Sequence, residues 1–66
     1  MYFGQMKNGQ YFQSASGFGL YQRVDGFTQL DVLTGTTSRS WDCWYPTVTP
    51  EEARKIMNQN RQEVAA

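Results

Sequence analysis

Residues 19–45, GLYQRVDGFTQLDVLTGTTSRSWDCWY, decide the fold. Short apolar and polar runs interchange here, and they break at Asp25-Gly26 and at Gly35-Thr36. Asp-Gly is favoured in two-residue hairpin turns, because both central residues of a type I′ turn take positive φ. If both breaks are two-residue turns, Val24 faces Phe27 and Tyr21 faces Leu30, while Leu30 faces Trp41 and Phe27 faces Trp44. Tyr21, Leu30 and Trp41 then form a row on one face, and Val24, Phe27 and Trp44 a row on the other. Cross-strand pairs of this kind stabilise sheets. The same register predicts apolar groups on both faces. One face is to be covered by a helix or by curling of the sheet; the other needs a cover or a ligand.

Turn signals continue toward the N-terminus, with Asn8-Gly9 as a further hairpin turn and Ser16-Gly17-Phe18-Gly19 as a looser one. Together they mark five candidate strands at 2–7, 10–15, 19–24, 27–33 and 37–45. Toward the C-terminus, Pro46 and Pro50 bracket a connection to Thr49-Pro50-Glu51-Glu52, which starts a helix. Thr49 accepts from the first-turn N–H groups, Pro50 suits the first helical position, and Glu52 completes a capping box. Both glutamates favour the positive end of the helix dipole. Ala53, Ile56, Met57, Asn60 and Val64 form a narrow apolar stripe, so the helix is expected to dock through its first three members. It is expected over 49–62, fraying after about Asn60 into a tail at 63–66. The fold class expected is α+β in a single domain, 1–66: an antiparallel β-meander of four to five short strands with one C-terminal α-helix on one face.

A 66-residue chain buries only about 60% of its unfolded surface, so each large side chain matters. With one cysteine, Cys43, and no histidine, it has no internal disulfide and no structural-zinc ligand set. Aromatics are the substitute. Four Phe, four Tyr and two Trp all lie in the first 45 residues, and each ring buries roughly 150–250 Å² when covered. That is more than one small sheet face needs, so some rings are expected to be exposed or set against another protein.

Net charge is zero, and the balance holds locally. Lys7, Arg23 and Arg39 offset Asp25, Asp31 and Asp42; Arg54, Lys55 and Arg61 offset Glu51, Glu52 and Glu63. Neutrality argues against nucleic-acid binding, which depends on phosphate neutralisation. No apolar run is long enough to span a bilayer, and MYFGQMKNGQ does not read as a signal peptide. A cytoplasmic location is expected, compatible with the unpaired Cys43.

Catalytic chemistry finds little footing. Histidine, the common general base, is missing. Asp25 sits in a turn, and Asp31 and Asp42 alternate with apolar residues as on a solvated strand face. No activating histidine, lysine or helix N-terminus is near Cys43 in sequence, so it reads as a buried or half-buried packing residue. Gly17-Phe18-Gly19 opens like a phosphate loop, but the third glycine of G-x-G-x-x-G would fall on Gln22. Gly17-Phe18-Gly19-Leu20-Tyr21 resembles, over five residues, the aromatic strand motif of cold-shock domains, small β-barrels that bind single strands. The resemblance implies bases stacking on Tyr11, Phe12, Phe18 and Tyr21. It departs from that family in lacking a lysine before Gly17 and the first-strand pattern.

Trp41-Asp42-Cys43-Trp44-Tyr45 is the most distinctive local feature. Alternation puts Arg39, Trp41, Cys43 and Tyr45 on one face, with Asp42 and Trp44 on the other. Tryptophan, tyrosine and arginine dominate binding hot spots. The residues expected to bind a partner are Trp44, Trp41, Tyr45, Arg39, Phe27 and Tyr21. No catalytic residue, metal set, cofactor site or membrane partner is expected. The reading is a small non-enzymatic protein-binding module that acts through an exposed aromatic sheet face, by occupying a partner's surface or by self-association. By analogy of size alone, such chains are often phage or mobile-element inhibitors of host protein complexes. Homodimerisation through a sheet face, or through edge 2–7 or 37–45, is a variant of it. The alternatives are a single-stranded nucleic-acid binder and a structural subunit of a larger assembly.

Overall fold

Asp31 shapes the turn that follows it. Its Oδ1 accepts the backbone N–H groups of Leu33 at 3.1 Å and Thr34 at 3.3 Å. Gly35, at φ +78°, closes the turn by donating its N–H to Asp31 O at 2.7 Å. Only glycine takes that backbone conformation without strain. In the computed structural model, which describes residues 1–65 and the side chains of residues 1–60, turns of this kind space five short strands. They are β1 (Tyr11–Phe12), β2 (Tyr21–Arg23), β3 (Thr28–Asp31), β4 (Thr36–Arg39) and β5 (Thr47–Val48), followed by the helix α1 (Pro50–Ala65).

The strands form one open antiparallel sheet in the order β4-β3-β2-β1-β5. β1 to β4 are the expected meander. β5, read from the sequence as mere connection, pairs with the other side of β1. The chain therefore crosses from one edge of the sheet to the other between Arg39 and Thr47.

The expected registers are corrected. Tyr21 pairs with Asp31 and Gln22 with Leu30, a shift of one residue, because Asp25 Oδ1 takes the Phe27 N–H at 2.8 Å and adds Phe27 to the turn. Leu30 pairs with Thr37 instead of Trp41, and Thr28 with Arg39. The Asp31 turn consumes residues 32–35 and moves the register by four. The rows Tyr21-Leu30-Trp41 and Val24-Phe27-Trp44 do not form, and the strand expected over 37–45 ends at Arg39.

The N-terminal strand expected over 2–7 is also replaced. Phe3–Gln5 is a turn of 3₁₀ helix, with only Tyr2 keeping a β-bridge, to Trp44. Asp42 Oδ1 accepts the Gly4 N–H at 2.8 Å. At the other end the Arg23 guanidinium donates to Phe3 O and Met6 O. Asn8-Gly9 still turns, with Gln10 N–H bonded to Lys7 O at 3.0 Å. Only Gly9 has positive φ there, so the turn is not the type I′ that joins two strands.

Two small cores result, one on each face. On one, α1 brings Ala53, with Ile56 and Met57 packed beside it, onto Leu20 and Val48, with Tyr11 and Val32 flanking. Ala53 and Leu20 are fully buried. Thr49 caps the helix, its Oγ1 accepting the Glu52 N–H at 3.2 Å and its carbonyl the Ala53 N–H at 2.9 Å. The helix continues past residue 62 to Ala65. Val64 and the tail expected at 63–66 have side chains outside the described residues, with Ala66 outside altogether. On the other face Phe3, Met6 and Phe12 are buried together, with Tyr21 and Tyr45 against them. The face opposite the helix thus has its own cover, made of the N-terminal segment and the crossover.

Candidate functional site

The crossover and the N-terminus form a small ladder of their own. Met1 and Tyr45 exchange two hydrogen bonds of 2.9 Å, and Phe3 N–H donates to Cys43 O at 2.9 Å. Tyr2 and Trp44, between these rungs, are a non-hydrogen-bonded pair, the kind in which opposing side chains lie closest. Alternation then separates the rungs. Phe3 and Tyr45 turn inward, their rings 5.8 Å and 5.0 Å from the Phe12 centroid. Tyr2 and Trp44 turn outward, 51% and 54% exposed.

A second group of rings lies at the end of the sheet where β4 finishes. Trp41 is 65% exposed, with the Arg39 guanidinium carbon 5.0 Å from its ring centroid. Arginine over indole is a cation–π contact worth about 0.5–1 kcal/mol at an exposed site. Phe27 belongs to the same end, since its carbonyl accepts the Ser40 N–H at 2.8 Å. It is 72% exposed. Its backbone is held on both sides, because Asp25 Oδ1 accepts its N–H. That bond, with one from the Thr28 hydroxyl, holds the Asp25 carboxyl below its usual pKa.

Four of the six expected partner-binding residues are therefore on the surface: Trp44, Trp41, Arg39 and Phe27. Tyr21 and Tyr45 are half-buried supports, Tyr21 stacked on Phe12 at 5.7 Å and Tyr45 against the same ring. The surface is made of loops and the crossover rather than a flat sheet face. Sequence reasoning missed Tyr2 as a member, because its partner is Trp44 and nothing local marks a contact that distant. Phe18, 74% exposed, lies in the β1–β2 loop at the opposite end of the sheet from Phe27.

The stacking platform that the cold-shock resemblance implies is not assembled. Phe12 is 1% exposed, and Tyr11, its neighbour on β1, packs against the core beneath the helix. Each of the three aspartates bonds a backbone N–H: Asp25 to Phe27, Asp31 to Leu33 and Thr34, Asp42 to Gly4. Asp25 lies in its turn as expected, while Asp31 and Asp42, expected on a solvated strand face, are tied to backbone N–H groups. Cys43 is exposed, against the expectation of a packing residue; the buried side chain on that rung is Phe3, whose N–H bonds Cys43 O. Among the described residues no three His, Cys, Asp or Glu side chains are placed to hold a metal ion. Among the described residues no helix is long and apolar enough to cross a membrane. An open hollow of about 220 Å³ between Val32, Leu33, Met57 and Asn60 falls short of the roughly 300 Å³ at which small-molecule pockets begin.

No protein-family model, curated protein or solved structure matches the chain.

Proposed function

We propose that this chain is a small, non-enzymatic protein-binding module whose contact surface is Trp44 with Tyr2, extended by Trp41, Arg39 and Phe27. The observation that carries the reading is the split of one ladder into two roles. Phe3 and Tyr45 are tied into the core, and the intervening rung holds Tyr2 and Trp44 outward on a fixed backbone. Rings presented in this way lose little conformational freedom on binding, which favours affinity. Exposed aromatic surface on a small protein marks a contact site, and Trp, Tyr and Arg are the residues that carry most interface energy. The module acts by occupying its partner's surface.

Capture from an extract of the native host, with wild type, Trp44→Ala and Tyr2→Ala as bait, tests this. Both variants are expected to keep the wild-type circular dichroism spectrum and to lose a protein that wild type retains. Recovery of the same proteins by folded Trp44→Ala rejects the surface. Raising the salt concentration should leave the complex largely intact, whereas a nucleic-acid complex weakens steeply.

A further inference from the structure

We propose that β4 is the pairing edge of a twofold-symmetric dimer, joined antiparallel to β4 of a second copy about Ser38. β4 is the terminal strand of the sheet, and all its side chains are exposed. Ser40 N–H bonds Phe27 O, and antiparallel rungs alternate, so Thr36, Ser38 and Ser40 turn their backbone groups inward to β3. Thr37 and Arg39 turn theirs outward, and among the described residues these groups have no partner.

Pairing about Ser38 uses every one of them. Thr37 of each copy meets Arg39 of the other, and the two equivalent rungs close four backbone hydrogen bonds. The same register carries Trp41, just past the end of β4, toward the Gly35 turn of the second copy. Gly35 has open space where a side chain would stand, so the turn leaves room for the ring. The two Arg39 residues are then diagonal neighbours about 9 Å apart at Cα. That is close to the screening length at physiological salt, and each guanidinium is already drawn to its own Trp41. The other edge is guarded: β5 is two residues long, with Pro46 before it and Pro50 soon after. β4 has no proline, lysine or inward charge to prevent pairing.

This inference rests on the reading of Trp41 and Arg39 as contact residues and names a second copy as what they contact. Tyr2 and Trp44 are left free for the other partner. Sedimentation of the purified chain over a range of concentrations tests it. Wild type and Phe18→Ala, a change at an exposed ring outside the contact surface, should show the same reversible monomer–dimer equilibrium. Thr37→Pro removes only an outward N–H and leaves the β3 ladder whole, so it should weaken association by roughly tenfold or more. If Thr37→Pro does not fold, amide exchange of wild type decides instead: the Thr37 and Arg39 amides should gain protection as concentration rises. A wild type that stays monomeric, a folded Thr37→Pro that dimerises as well, exchange independent of concentration, or loss of the dimer in Phe18→Ala overturns the proposal. A monomeric wild type would leave the Trp44 surface untouched, since capture on that surface is measured separately.

Discussion

The guanidinium carbon of Arg23 lies 5.4 Å from the centroid of the Phe3 ring, while the same group donates to the carbonyls of Phe3 and Met6. One side chain on β2 thus clamps both the ring and the backbone of the N-terminal cover. Hydrogen bonds from a charged donor contribute about 1.5–3 kcal/mol, so Arg23→Ala is expected to destabilise the domain by roughly 2–3 kcal/mol. Lysine cannot reproduce the planar fork, and Arg23→Lys should recover only part of the loss. Urea denaturation of the two variants measures both.

The division of rings between core and surface gives a sharper contrast. Phe12 is 1% exposed and touched by Phe3, Tyr21 and Tyr45, so Phe12→Ala should cost about 3–5 kcal/mol. In a domain this small that is most of the total stability. Phe18→Ala, at a ring 74% exposed, should stay within about 0.5 kcal/mol of wild type. Thermal unfolding followed by circular dichroism separates the two.

Acid should loosen the β2–β3 turn. The bonds from the Phe27 N–H and the Thr28 hydroxyl lower the Asp25 pKa, so the folded state favours the carboxylate. The stabilisation this adds is complete above the ordinary carboxylate value of about 3.9. It is lost as pH falls through the lower folded value. Asp25→Asn should remove this part of the acid dependence. An NMR titration of Asp25, with urea midpoints at descending pH for both proteins, checks the sign.

The start of α1 was open to inspection because its signals are contiguous: Thr49 as cap, Pro50 as first residue, Glu51 and Glu52 in the first turn. Replacing the cap, Thr49→Ala, should cost about 1 kcal/mol, seen as a lower unfolding midpoint.

Strand order within the meander was legible for the same local reason, since Asp25-Gly26 and Gly35 do mark turns. Register was not. Asp25 and Asp31 spend their side chains on backbone N–H groups two and three residues ahead, and each such bond lengthens its turn and slides the next strand. The N-terminal segment was the least legible. Its 3₁₀ turn is held by Asp42, 38 residues away, and by Arg23, 20 residues from Phe3. No window of local pattern contains those partners. The candidate surface shares this fate: Trp41, Arg39, Phe27 and Trp44 stand out by type, but Tyr2 joins them only through the Trp44 rung.

The most direct measurement is the dissociation constant of the captured partner for wild type, Trp44→Ala and Phe18→Ala. Trp44 and Phe18 are both exposed rings, but only Trp44 belongs to the ladder surface. A hot-spot tryptophan contributes about 2 kcal/mol or more, or roughly 30-fold in affinity. Trp44→Ala should weaken binding by that factor, with Phe18→Ala binding as wild type does. Equal affinity for wild type and Trp44→Ala, or equal losses from both substitutions, contradicts the account.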